Sequence, residues 1–341
     1  MRFATLVLSL ITLGGASSTF GADAAKTEIK VSVAAGPTLP LGRAAQRWTQ
    51  LLADPKEERT WKLYPGAALA ARDVARELDA VVEGKALLAV GSALQWSMQV
   101  PALGVFALPW IAPQQRELEA LARDDALRET IAARLDARGV VLIAIAPLGH
   151  REIATTTRPI RRPADVEGLR VRTLASPIVT ETLLALKAAP QSMPFAQAQK
   201  AFAEGTLDGQ GAPATALVAA RANESGLTQL TDWGAIGDAM LFVAHRSFWD
   251  GLTQADRDML MRTAAKAIAE VDALAAEEAA IRRLGAGGMS IVRLTPGGHD
   301  AFRAAVRDVV DRWRGVIGAD VVGLADAALA RMRGQASPAT K

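Results

Sequence analysis

Ile29, Val31 and Val33 alternate with polar residues, which predicts a half-buried strand over 28–34. Gly36, Pro37 and Pro40 end it, and a helix follows through Arg43 to Leu52 with Trp48 and Leu51 on its inner side. The pattern then switches back and forth between the two periods. Trp61 to Tyr64 reads as a strand closed by Pro65-Gly66, residues 68–82 as a helix, and 86–90 as a buried strand. Residues 105–110 are apolar but hold Pro109, which favours an extended loop over a central strand. Leu118, Leu121, Ile131 and Leu135 form a stripe that predicts a helix over 114–137. Val140 to Ala146 is continuously apolar, as in a strand covered on both faces. Strands over 152–156, 169–173 and 240–244 and helices over 177–186 and 196–204 follow. Strands alternating with helices predict an α/β fold with largely parallel sheets.

The segment 253–284 differs from the rest. Thr253 and Asp256 form a weak capping box, and Leu260, Ile268, Val271, Leu274, Ile281 and Leu284 keep helical spacing up to Gly285, the expected stop. One helix of that length extends about 45 Å. That exceeds the needs of one small lobe, so it is expected to lie across two; a pair of helices with an unmarked bend is the alternative. A strand over 292–294 and a closing helix over 301–313 follow, and the chain ends in a polar tail. The 341 residues suit two domains better than one core.

Composition removes several functions. The 39 basic and 36 acidic residues leave a net charge of +3, too small an excess for a nucleic-acid footprint. The absence of cysteine excludes disulfides, thiolate metal sites and a cysteine nucleophile. His150, His245 and His299 lack metal-ligand spacing, so no metal or cofactor is expected. There is no G-x-S-x-G elbow or phosphate-binding loop, and the 285–288 glycine cluster follows a helix instead of opening one. With no nucleophile placed beside a base, an enzyme is not expected. At the N-terminus, Arg2 precedes an apolar run from Phe3 to Leu13, and Ala22-Asp23-Ala24 has the small-x-small form of a cleavage site. Residues 1–24 therefore read as an export signal, too short to span a bilayer, and the mature protein as a soluble periplasmic one.

A series of motifs stands in order along the chain: Tyr64-Pro65-Gly66, Glu83-Gly84, Val105-Phe106-Ala107-Leu108-Pro109, Gly149-His150-Arg151, the run from Arg162-Pro163 to Arg172, Met193-Pro194-Phe195, and Gly205-Thr206-Leu207-Asp208-Gly209-Gln210. Each is weak alone. Their order resembles the DctP-type solute-binding receptors of tripartite ATP-independent periplasmic (TRAP) transporters, over nearly the whole mature chain. The resemblance implies a two-lobed periplasmic-binding-protein-like α/β fold, with a cleft between the lobes and a long helix bridging them. The expected lobes are 25–148 with 238–270 and 149–237 with 271–335, followed by a frayed tail at 336–341. It also implies a small organic acid as ligand, the small and large TRAP membrane subunits as partners, and a monomeric receptor. A receptor of the same fold serving a sensor is the main alternative, and a periplasmic hydrolase a weaker one.

In the resemblance, Arg172 makes a two-pronged salt bridge to the ligand carboxylate, which a planar guanidinium suits. Arg151 falls on the second arginine, Phe195 on the residue packing against the ligand's carbon skeleton, and Gln210, at the end of the 205–210 turn, is a further ligand-binding candidate. Trp233, with Trp96 and Trp110, is a further candidate to line the cleft, against core packing for each. One departure stands out: where the family reads Gln-x-Asn-Pro, this chain has Gln210-Gly211-Ala212-Pro213, and Ala212 has no amide to offer a carboxylate. Cleft positions that are polar in sugar-acid-binding relatives fall on Ala34, Gly91 and Leu94, so the expected ligand has a less polar body.

Overall fold

A computed structural model describes residues 27–54, 58–193 and 195–335. The expected export signal and the tail beyond 335 lie outside these residues. Nine strands are found among them: β1 (Thr27–Val33), β2 (Arg59–Pro65), β3 (Leu88–Ser92), β4 (Val140–Thr155), β5 (Arg170–Thr173), β6 (Ala189–Ser192), β7 (Gly209–Ala212), β8 (Gln229–His245) and β9 (Ser290–Arg293). They form one sheet ordered β2-β1-β3-β8-β4-β7-β5-β6, with β9 also paired to β8. The fold is α/β and two-lobed.

The spine is the antiparallel pair β4–β8, sixteen and seventeen residues long. The far end of β8, 240–244, carries β3 and beyond it the parallel strands β1 and β2. The other end of the spine carries β7, β5 and β6 beside β4, and β9 beside β8. Parallel pairing thus holds on the two flanks, and the centre is antiparallel, which corrects the expectation of largely parallel sheets. The expected strands 140–146 and 152–156 are one strand. Polar Gly149-His150-Arg151 mimics a break in the sequence, but the chain absorbs it through register shifts between Leu142 and Ala144, Pro147 and Gly149, and Arg151 and Ile153. Residues 141–145 are half-buried, not covered on both faces.

Helix Pro40–Leu52 begins with proline, where a missing N–H costs nothing. Its Trp48 is buried edge-on to Phe242 at 5.0 Å and donates from Nε1 to the Leu260 carbonyl at 3.3 Å and Thr263 Oγ1 at 3.1 Å. That ties it to helix Gln254–Val271. The segment expected as a single helix over 253–284 is helical but interrupted. Asp272 sits at φ 41° between Gln254–Val271 and Ala273–Ala286, its side chain accepting from the Ala275 N–H at 3.1 Å. The first half packs on Pro40–Leu52, the second on helix Ala214–Ala219, so the broken rod still reaches both flanks of the sheet. Gly285 lies inside the second half, and Gly287 follows its end.

Other helices also divide at caps. The 114–137 segment is two helices, Gln115–Arg123 and Asp125–Asp136, parted where Asp124 accepts from the Leu127 N–H at 2.9 Å. Residues 68–82 hold only two single 3-10 turns and a short helix, Glu77–Val82, because the alanine-rich start has no large apolar face to bury. Pro101–Ala107 is a buried 3-10 helix overlapping the loop expected at 105–110. The C-terminal part is three helices, Pro296–Ala305, Arg307–Ile317 and Ala319–Gln335.

Candidate functional site

The carboxyl ends of β1, β3, β5, β6 and β7 point at a common cavity of about 830 Å³, lined at those ends by Ala34, Ser92, Leu174, Ser192 and Ala212. Ligands of open α/β sheets bind at such strand ends. Most of the wall is apolar, including Leu39, Leu41, Val74, Leu94, Leu148 and Met193. Into this wall three strands and one helix insert charge. Arg151 comes from β4, Arg172 from β5, Asp238 from β8 and Glu277 from helix Ala273–Ala286.

Arg172 is buried, and its Nε donates to the Met193 carbonyl at 3.1 Å. Burial holds its pKa below the usual arginine value. Arg151 donates from Nη2 to the Gly211 carbonyl at 2.9 Å, while its Nε is buried with no hydrogen-bond partner. Desolvation, and then repulsion from Arg172, lower it to about 10, against attraction from Asp238 and Glu277. Asp238 is held by three donors: Ser92 Oγ at 2.6 Å, the Leu94 N–H at 3.0 Å and its neighbour Ala239 N–H at 2.8 Å. Glu277 accepts from the Thr215 N–H at 3.3 Å and from the Thr215 hydroxyl. Burial nevertheless raises both carboxyls, Glu277 to about 7.

The residues singled out from the sequence are distributed as follows. Arg172 and Arg151 line the cavity together. Gln210 is fully buried on β7, in register with Arg172, and does not reach the cavity wall; both its amide atoms lack a partner. The side chain of Phe195, at the start of helix Phe195–Ala203, lies outside the described residues. Trp233 is elsewhere. It belongs to a buried aromatic group with Trp110, at 5.5 Å, and Phe302, at 5.9 Å, and its Nε1 donates to the Arg151 carbonyl at 2.8 Å. It therefore steadies the backbone behind Arg151 instead of lining the cavity. Trp96 covers Gly91, whose Cβ position its ring occupies, so Gly91 is shut off while Ala34 and Leu94 line the wall.

The sequence reading missed Asp238 and Glu277. Asp238 is a lone acid in the apolar run from Ala235 to Ala244, and Glu277 shares the buried stripe of Leu274 and Ile281. An acid on an apolar face was the available signal in both cases. A second concavity, of about 530 Å³, lies on the other side of Glu277 and is lined also by His150, Glu152, Asp232 and Arg293. No group of three or more histidines and carboxylates among the described residues is arranged to hold a metal.

Residues 31–315 match the family model of bacterial extracellular solute-binding protein, family 7. A C4-dicarboxylate-binding periplasmic protein of Rhodobacter capsulatus is 27% identical over 312 residues, 89% of this chain and 91% of that protein. A TRAP periplasmic solute-binding protein of Ralstonia eutropha with bound (S)-2-acetolactate superposes with a TM-score of 0.83 at 36% identity, covering 90% of this chain and 99% of that one. Another, from Ochrobactrum anthropi with its C-terminus bound in the ligand pocket, gives a TM-score of 0.81 at 25% identity over 91% and 97% of the two chains.

Proposed function

The chain belongs to family 7 of the bacterial extracellular solute-binding proteins, and on that premise we propose that it captures a small organic carboxylate on Arg172 and Arg151 and delivers it to a TRAP-type permease. Members of this family are receptors, not enzymes. The observation that carries the ligand assignment is Arg151: a partly buried arginine at a cavity wall whose Nε is buried and unpartnered, next to the buried Arg172. Two such cations are costly to desolvate unless an anion joins them. A carboxylate matches the planar fork and accepts from both. It therefore favours whichever conformation encloses it, and the enclosed form is the one a permease would recognise.

Ala212 at the cavity wall offers no donor. Leaving out one bond to a charged group costs about 1.5–3 kcal/mol, a loss that a second guanidinium on the same carboxylate, Arg151, offsets. The leucines, Val74 and Met193 suit a compact aliphatic body. The Ralstonia relative's ligand, acetolactate, is such an acid. An export signal cleaved near Ala24 and a monomeric receptor working with the small and large permease subunits complete the reading.

A thermal-shift screen against carboxylates, with Arg172→Ala alongside, tests it. A ligand that binds only the folded state raises Tm. The expected result is a stabilising acid whose affinity falls at least about a hundredfold in Arg172→Ala, in line with breaking a buried ion pair. An acid bound equally well by the variant would refute the assignment.

A further inference from the structure

Four ionisable groups line the inner wall of the cavity, two basic, Arg151 and Arg172, and two acidic, Asp238 and Glu277. Arg72 and Asp73 also line it, but both are exposed to solvent. The two acids differ in how firmly they are held. Asp238 is engaged by three close donors, at 2.6, 3.0 and 2.8 Å. Glu277 accepts from the Thr215 hydroxyl and, at 3.3 Å, from the Thr215 N–H, with the Ala214 N–H nearby, and its two oxygens retain acceptor capacity. Resting on the carboxylate-receptor reading, we propose that Glu277 sets specificity: it selects monocarboxylates that carry a hydroxyl and rejects dicarboxylates.

One carboxylate satisfies the two arginines. A second would share a low-dielectric cavity with Glu277 and Asp238, where like charges repel strongly. A hydroxyl instead donates to the spare lone pairs of Glu277, and an acid lacking it leaves a buried carboxylate under-satisfied. Discrimination therefore follows the ionisation of Glu277. With burial lifting it to about 7, the carboxyl is ionised and repulsive above neutrality and protonated below.

The groups around Glu277 fix its sign. From β4 come Arg151, which attracts its charge, and Glu152, whose own pKa is raised by burial and then by Asp232. From β8 come Asp238 and Asp232, from β9 Arg293, and beside it on the helix stands Glu278. Arg293 is engaged by Asp232 at 3.0 Å. His150 and His299, on the far concavity, are held below the usual imidazole range by burial. Helix Ala214–Ala219 carries no charge; on helix Pro40–Leu52, Arg43 is exposed and Arg47 is bound to Glu270. Because Glu277 also lines that concavity, its proton can exchange without passing the ligand.

Calorimetric titration of the mature chain with 2-hydroxyisovalerate, isovalerate and succinate, at about pH 6.5 and about pH 8.5, tests this on either side of the Glu277 titration. Wild type is expected to bind the hydroxy acid at least about tenfold tighter than either competitor at the higher pH, with the succinate penalty shrinking several-fold at the lower one. Glu277→Gln should abolish that pH dependence and narrow the succinate gap. Succinate binding wild type as tightly as the hydroxy acid at the higher pH, or a ratio unmoved by pH, overturns the inference and leaves the receptor reading intact. If none of the acids binds, this inference falls, while the receptor reading stands or falls by the carboxylate screen. The wild-type pH profile decides the matter should Glu277→Gln fail to fold.

Discussion

Arg151 reaches the cavity because the backbone on either side of it is irregular. Register shifts flank it on β4, and Gly149, two residues earlier, adopts φ 115°, a conformation closed to other residues. A Cβ there would lie 2.8 Å from Glu277 Cγ. Gly149→Ala is therefore expected to destabilise the fold by about 1–3 kcal/mol and to weaken ligand binding by pushing Glu277 aside. Urea unfolding and titration of the same variant check both; unchanged affinity would separate Gly149 from the site. At this scale the sequence was partly legible. Arg172 and Arg151 stood in ordered motifs, and the Gly205–Gln210 turn was visible. Its Asp208 proves to clamp Arg170, accepting from the Arg170 N–H at 2.8 Å, Nε at 2.9 Å and Nη2 at 2.8 Å, so that residue holds β5 and β7 together instead of meeting a ligand. Glu277 and Asp238 stayed hidden because the partners that make a buried acid tolerable, Thr215 and Ser92, are remote in sequence.

At the scale of elements, the strand and helix periods located most segments but not their joints. A bulged strand reads as two strands, since its polar interruption looks the same as a loop, and this hid the β4–β8 spine. The break at Asp272 was equally silent: an aspartate between alanine-rich turns does not announce a left-handed residue. It has a testable cost. Asp272→Ala loses a cap and must hold φ 41° without glycine's freedom, for an expected loss of about 1–3 kcal/mol. Asp272→Gly loses the cap but relieves the backbone, and should remain within about 1 kcal/mol of wild type. Chemical denaturation of the pair checks this. Equal losses would mean that the cap alone matters.

Across the whole molecule, buried carboxyls set the pH response. Glu77, Glu152, Asp238 and Glu277 are all raised by desolvation, Glu77 to about 8. Each keeps its proton in the native state after the unfolded chain has released it. Their stability is fully present below the unfolded value, near 4.5 for glutamate, and is lost as pH rises through the native value. Buried His150, lowered by desolvation, acts in the opposite sense below about 6.5. The ligand-free protein should therefore be less stable at about pH 8.5 than at about pH 6.5, and Glu77→Gln should flatten part of that slope. Urea midpoints at the two values check it; stability that rises with pH would contradict the burial argument.

The cost of buried charge also governs the binding site, where a carboxylate joins Arg151 and Arg172. The most direct measurement is a crystal structure of the mature protein with the best-stabilising acid from the screen. The ligand carboxylate is expected within about 3 Å of the Arg172 guanidinium and of Arg151, with its carbon body against Leu94, Leu148 and Leu174 and its hydroxyl at Glu277. A ligand found in another concavity, or one whose carboxylate avoids both arginines, would contradict it.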